Sequence, residues 1–597
     1  MREPLLDAIA KVAAEAPTAE KWLVMRSLRH GHLITERLAR VTGGWVNLRP
    51  ITPWRLARQV LMATDPAALR PLLDDTQGPA VTLRLLQELP AAVPGYFRKL
   101  EPDPGLGRLL WGCLQEIRLA GLGPEDLLDA VGEVPEKIQE LRVLLEAYER
   151  YLAEQPWMDH PGLLAAAHKR LPDFRVSPGT RWLLPSDAIW APLERALIEA
   201  LPGERVWLPY PAVRGLQPPR RLTLSGPLPV PPTPPAPLPS IDSARLAWLF
   251  APEQAPPPLH DGSVQLFRAA GHDAEIHEVL RRVLAAGWPL DTVEVACATA
   301  EPYVGLLWEL SQRLDLPITL RDGLPVSQTR PGRALARFCD WLEAECPTAD
   351  LRRLLQSGVL AMDGDAGLTP GQAARLLLDC IGVRGRDAYS PALTHLAAEY
   401  AVDAAHAERE GEPGWATWKR EQIARLSALG RFIHALLACA PSSGPDGQVD
   451  GPPLVEGCRT LLATYARISA PEDAEARERL RKSLAALRRV IPARLPLHLA
   501  LALVRETLAR RIREEGPKPG ALYVTRLDEL GLSGRPHRFL VGLDQARVSG
   551  PRLEDAVLLD DERARHHRAL ATSTDHATER LHRIATRLAT VNGTVTA

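Results

Sequence analysis

The sequence predicts an α/β protein with two parallel-sheet domains, each interrupted by a helical insertion. Both halves of the chain open on alternating strand and helix patterns. A long helical stretch follows each opening, and strands return behind it. At 597 residues the chain is also too long for a single core.

The elements follow in order. MREPLLDAIAKVAAEAP reads as a short amphipathic helix with acids inside it, unlike a signal peptide. Trp22 to Met25 reads as the first strand, followed by a loop and a helix from about Gly31 to Val41. Val46 to Thr52 reads as a second strand feeding the helix PWRLARQVLMA. The pattern from about Asp65 to Pro172 is helical. KIQELRVLLEAYERYLAEQ is the best example, with Ile138, Leu141, Leu144, Leu145, Tyr148 and Leu152 at helical spacing on one face. RWLLP, APLERALIEAL and ERVWLPYP then restore strand, helix and strand.

A Pro-rich stretch from Gly215 to about Leu259, with GPLPVPPTPPAPLPS inside it, favours extended chain and reads as a linker. A ligand for a proline-binding module is the other reading of that composition. The second half repeats the plan with SVQLFRA, AEIHEVLRRVLAAG, VEVACAT, YVGLLWELSQRL and LPITLRD. A helical region runs from about Arg333 to Arg510, strands return at ALYVTRLDEL and RFLVGLD, and the closing segment RARHHRALATSTDHATERLHRIATRLA reads as helix. The expected domains are 1–64 with 173–214, interrupted by 65–172, and 260–332 with 511–597, interrupted by 333–510. Residues 215–259 link the two.

Composition narrows the function classes. Lys+Arg 72 against Asp+Glu 73 gives a formal charge of -1, which excludes a protein held to nucleic acid by bulk charge alone. Any DNA contact must come from local basic surfaces. Only eight of those cations are lysine, a bias that reflects a GC-rich coding sequence more than function. The seven cysteines are scattered without a CxxC pair, as expected for buried thiols in a reducing cytoplasm. No run is long and apolar enough to span a membrane, so a cytoplasmic location is expected.

Several stretches carry a family resemblance. LQEIRLAGLGPEDL, followed by LLEAYERYLAEQPWMDHPGLL with Asp159 at its acidic position, lies in the first insertion. FRAAGHDAEIHEVLRRVLAAGWPLDTVEVACATAEPY, with Glu275, opens the second α/β domain, and ITLRDGLPVSQTRPGRAL leads into its insertion. LYVTRLDELGLSGRPHRFLVGLDQARVSG holds a strand ending in a GLD turn, and VLLDDERARHHRAL follows it. In this order the pieces resemble superfamily-1A helicases of the UvrD and RecB type, most of all the AddB subunits of AddAB-type helicase–nucleases and more distantly RecC. The resemblance spans nearly the whole chain. It implies two RecA-like (P-loop NTPase-type) domains, 1A and 2A, with helical insertions 1B and 2B. It also implies work on DNA in double-strand-break repair beside an AddA-like or RecB-like helicase–nuclease.

The catalytic motifs of such enzymes are missing. A phosphate-binding loop needs glycines that bring backbone N–H groups to the phosphates, a lysine and a hydroxyl. In RSLRHGHLITERL the one glycine is Gly31, and no lysine in the chain follows a glycine. Arg26 or Arg29 does not replace that lysine, because the guanidinium fork is larger. RWLLPSDAIW, at the Walker-B position, offers Asp187 alone, which also reads as a turn residue after a buried strand. The C-terminal nuclease implied by the family needs an E-x-K, and no lysine has an acid two positions before it. Clustered iron–sulfur cysteines are also missing. No cofactor or metal is expected. His566, His567, Asp575, His576 and His582 read as a solvated helix face.

Two places are candidates for DNA contact. Thr52, Trp54 and Arg55 follow the second strand, at what the resemblance implies is the motif-Ia position, where an aromatic and an arginine suit stacking and a phosphate contact. Trp54 as a helix anchor is the competing reading. Arg481, Lys482 and Arg488 lie with Arg477 and Arg489 on a helix in the second insertion, where interleaved acids equally describe a solvated face. Arg526 and Arg547, near the GLD turn, read as surface or DNA-facing. The expected function is a non-catalytic, helicase-like DNA scaffold. The alternatives are a divergent ATPase or helicase, the front part of a nuclease subunit, and a protein–protein scaffold that binds no DNA.

Overall fold

The computed structural model describes residues 3–127, 134–223, 229–234, 239–362, 368–380, 382–444, 446–550 and 553–597. Residues 224–228 and 235–238 of the Pro-rich stretch lie outside that description.

The first half holds a four-stranded parallel sheet in the order β2-β1-β3-β4. Its strands are β1 (Lys21–Val24), β2 (Leu48–Ile51), β3 (Arg181–Pro185) and β4 (Glu204–Leu208). Both faces of this sheet are covered, and the alternation of side chains along the strands decides which residues face which layer. Leu23 and Leu183 point to one side, where helices Pro4–Glu15 and Leu28–Thr42 bring Leu6, Ile9, Ile34 and Leu38. Val24, Trp182 and Leu184 point to the other, under helices Pro53–Thr64, His160–Arg170 and Pro192–Glu199. Trp22 and Trp182 stack with centroids 6.1 Å apart.

The second half holds a six-stranded parallel sheet in the order β5-β14-β13-β6-β12-β7. Its members are β5 (Val264–Gln265), β6 (Val293–Cys297), β7 (Ile318–Leu320), β12 (Leu522–Arg526), β13 (His537–Val541) and β14 (Thr594–Thr596). The short strands β8 (Leu324–Pro325) and β11 (Arg511–Ile512) pair where the second helical insertion leaves and rejoins this sheet. A second two-stranded pair, β9 (Gln448–Asp450) with β10 (Arg494–Pro496), lies inside that insertion. β6 is buried along its whole length, as a central parallel strand must be.

Between β2 and β3 the chain is helical, and helix Pro135–Glu154 buries Ile138, Leu141, Leu144, Leu145, Tyr148 and Leu152, the face that its periodicity predicts. Helices from Arg330–Glu343 to Leu497–Glu506 fill the second insertion. The core of both insertions is continuous with that of the second sheet.

Several details differ from the sequence reading. The expected strand SVQLFRA shrinks to two residues at the sheet edge. The closing segment is two helices, Asp560–His566 and Ser573–Leu588, and Thr594–Thr596 beyond them joins the sheet between β5 and β13. Within the Pro-rich stretch, Asp242–Trp248 forms a 3-10 turn that buries Ala247 and Trp248 against Ala589. Proline density hid those apolar anchors. Among the described residues, no helix is long and apolar enough to cross a membrane.

One buried ion pair joins the first insertion to the closing helices. Lys137 Nζ lies 2.6 Å from Glu562 Oε2, and each side chain is 5% exposed. Removing one partner strands a charge, whereas an apolar pair of similar volume does not. We expect Lys137→Ala to cost about 3–5 kcal/mol in chemical denaturation, and the double variant Lys137→Met, Glu562→Leu to recover most of that loss.

Candidate nucleic-acid interface between the two sheets

The turn from β1 into helix Leu28–Thr42 comprises only Met25, Arg26 and Ser27. A phosphate loop has four residues between its glycines alone. Gly31 lies inside the helix, and a Cβ on it would stand 2.3 Å from Pro50 Cβ. It serves close packing of the helix on β2 rather than phosphate binding. The residues present therefore do not fit a nucleotide held by backbone N–H groups.

Side chains of the second half meet this turn instead. His30 Nε2 is 2.9 Å from Glu529 Oε1, and Glu529 is 2% exposed. Glu529 also accepts from Arg321 Nε at 2.5 Å and Arg526 Nη2 at 2.9 Å. Burial would raise the Glu529 carboxyl, but hydrogen bonds and charge from His30 and Arg321 hold it well below the usual 4.5. Arg29 donates to the Arg321 carbonyl and stands 3.9 Å from Glu514. Arg26 is exposed, and neighbouring atoms around its guanidinium lower its pKa by desolvation, with Glu194 and Glu579 opposing the shift.

The segment 527–534 that carries Glu529 is anchored on both sides. Leu532 inserts among Leu33, Ile34 and Leu38 of the first half. Behind it, the buried Glu294 of β6 accepts from Ser533 Oγ at 2.5 Å and Gly531 N at 3.0 Å. Arg37 reaches across to the Gly531 carbonyl at 3.3 Å.

A second set of ties lies along helix Ser573–Leu588. Arg220 forms a two-pronged bond to Asp575 at 3.1 and 2.6 Å, and Arg221 reaches Glu579 at 3.2 Å. Tyr210, two residues beyond β4, packs its ring against His582 at 6.1 Å. Burial lowers the His582 pKa, with the Asp187 charge opposing the shift, and burial and the same charge both push the Tyr210 hydroxyl up.

At the end of β13 the GLD turn meets Glu275, which the sequence had singled out separately. Gly542 N donates to Glu275 Oε1 at 2.9 Å, and Tyr303 Oη donates to Oε2 at 2.5 Å. Gly542 has φ +75°, and a Cβ there would press on the Tyr303 ring at 2.8 Å, so both backbone and packing require glycine. Arg547 adds a bond to Tyr303 Oη at 3.3 Å and an ion pair with Asp544 at 3.0 Å. Arg526 and Arg547 are thus tied into ion pairs.

The DNA candidates separate into two groups. Thr52 caps helix Pro53–Thr64 by accepting from Arg55 N at 3.4 Å, and Trp54 is half-buried against the first sheet's core, as an anchor would be. Arg55 is exposed. On helix Pro471–Arg488, Arg481 and Lys482 share Glu478 at 3.3 and 3.5 Å, and Arg488 lies 3.5 Å from Glu456. The first helix packs on 160–170 and 192–199 and the second on 451–464 and 330–343, so the structure does not bring the two groups together.

The histidine run is not a solvated face. His582 and Asp575 are buried, His566 and His567 are half-buried, and Asp575 is held by Arg220, so only His576 of the run is exposed. The cause is that helix Ser573–Leu588 packs its polar side on the first half. Among the described residues, no group of three His, Cys, Asp or Glu could hold a metal ion. His30, Arg321 and Glu529 were not singled out in the sequence. His30 and Glu529 are separated by almost the whole chain, and no local pattern joins them.

No protein-family model matches this chain, and no curated protein matches it.

Glu529 gives a pH test with a definite sign. A carboxyl whose folded pKa is depressed stabilises fully above its unfolded value and loses that contribution as pH falls below it. We expect Glu529→Gln to cost roughly 3–5 kcal/mol near neutrality, because three basic side chains lose their shared acid. In urea unfolding, the gap between variant and wild type should narrow as pH drops below 4.5. A gap constant across that range would contradict the assignment.

Proposed function

We propose that this chain is a non-catalytic, helicase-like DNA-binding scaffold of a double-strand-break repair complex. It would hold a DNA strand while an AddA-like or RecB-like helicase–nuclease supplies ATP hydrolysis. On this reading the two sheets are degenerate RecA-like domains 1A and 2A, and the helical stretches are 1B and 2B. The ordered resemblance of the sequence segments supports it, as does the presence of two parallel sheets, each with a helical stretch between its strands.

The observation that carries the non-catalytic part is the contact of His30 with Glu529. Where a motor would place a phosphate loop, the turn after β1 is short and its neighbours are engaged by the opposite half. A scaffold needs the two halves held at a constant separation, and a buried ion-pair network with an apolar plug achieves that without nucleotide.

The test is binding of the purified chain to labelled single-stranded DNA and labelled ATP by fluorescence anisotropy over a salt series. We expect DNA affinity that falls with salt, with a slope set by the number of phosphates neutralised, and no magnesium-dependent ATP binding. Tight magnesium-dependent ATP binding would overturn the non-catalytic reading. Salt-insensitive or absent DNA binding would favour a protein–protein scaffold.

A further inference from the structure

Where β11 returns the second insertion to the second sheet, a polar notch of about 340 Å³ opens on the surface. Arg479, Lys482, Arg510 and Arg511 line it, with Asp74 and Glu514. Three parts of the chain line it, and the fourth adjoins it through Arg29. Asp74 comes from the first insertion, Arg479 and Lys482 from the second, and Arg511 from the strand rejoining the second sheet. Glu514 is the partner of Arg29 on the first α/β part. The junction is held by Gln77 Nε2 donating to the Ala486 carbonyl at 3.2 Å.

The charges in the notch are unequally committed. Asp74 accepts from Arg510 Nη2 at 2.7 Å and also takes the backbone N–H groups of Thr76 and Gln77, so it is neutralised where it stands. Glu514 faces Arg29 at 3.9 Å. Arg511 is fixed through Nη1 on the Gly323 carbonyl at 3.3 Å. Among the described residues, Arg479 bonds through Nε to the Arg511 carbonyl at 3.3 Å. Lys482 is 73% exposed, and among the described residues its ion-pair partner is Glu478, at 3.5 Å on the exposed side of the same helix, a pairing that contributes little. The notch therefore presents a guanidinium fork and an ammonium group beside two further arginines, with both lining acids already paired. That donor set matches the oxygens of a phosphate. No aromatic ring lines it, so it suits a charged backbone and not a base.

We propose that this notch is a phosphate-binding site that seats the backbone of a single nucleic-acid strand at the junction of the four parts. The proposal rests on the DNA-binding reading above and adds where the strand lies. Of the sequence candidates it retains Lys482 and adds Arg479, Arg510 and Arg511.

The test uses the full chain and labelled oligothymidylate, with Arg479→Glu and Lys482→Glu in the notch and Arg353→Glu at an exposed position of helix Thr348–Gln356, outside the notch. We expect each notch variant to weaken binding about tenfold and to lower the salt slope by about one, with Arg353→Glu unchanged. Arg479→Gln and Lys482→Gln, checked by circular dichroism melting, separate lost charge from misfolding and should weaken binding less. Tripolyphosphate should compete with the strand in wild type. If wild type binds the strand and both reversals bind equally well, the notch assignment is overturned and the scaffold reading stands. If wild type binds no strand at any salt, the scaffold reading fails with it. Tripolyphosphate binding that is lost in the notch variants would then assign the site to a free phosphate ligand and overturn the strand.

Discussion

Glu529 sits behind the turn that joins β1 to its helix, almost fully buried, with three basic side chains converging on it from two halves of the molecule. A buried carboxylate is tolerated only when its lone pairs are satisfied by charged donors. Arg321 and Arg526 supply those donors from the second half, and His30 closes on the same carboxylate from the first, so the separation of the halves is constrained by their packing around Glu529. Leu532 adds an apolar contact three residues later, and Glu294 fixes the same segment from below. The segment 527–534 thus works as a peg, held in one sheet and inserted against the other.

The rest of the architecture is consistent with a molecule built to keep one arrangement. The first insertion is tied to the closing helices by Lys137 with Glu562 and by Arg563 with Glu116 at 2.7 Å. Arg220 and Arg221 tie the end of the first half to helix Ser573–Leu588. Under the proposed function, these ties would hold the two halves as a support for a strand.

The sequence was informative wherever order is local. Short apolar runs located most strands of both sheets, 3.6-residue periodicity located the long helices, and Ile138 through Leu152 were placed on the correct face. Glu275 and the GLD turn were picked out separately, and the fold joined them through Gly542 N. What was not legible depends on chain-distant pairing. The strand Thr594–Thr596 is three residues long and gains its identity only from neighbours on either side. The burial of Trp248 was masked by prolines, and that of His582 by the polar residues around it. Lys482 was visible as a cation on a helix, but Arg510 and Arg511 join it only because β11 pairs with β8.

The central claim is that the two α/β halves are held together by the chain's own side chains, independently of nucleotide. All seven native cysteines are buried, so spin labels can be directed to cysteines introduced at the exposed Val41 and Leu284, one on each half. Electron–electron dipolar spectroscopy of that pair measures the distance between the halves. We expect one distance distribution, unchanged by saturating magnesium-ATP or magnesium-ADP and broadened when Glu529 is replaced by glutamine. A nucleotide-dependent shift in the wild-type distribution would contradict it.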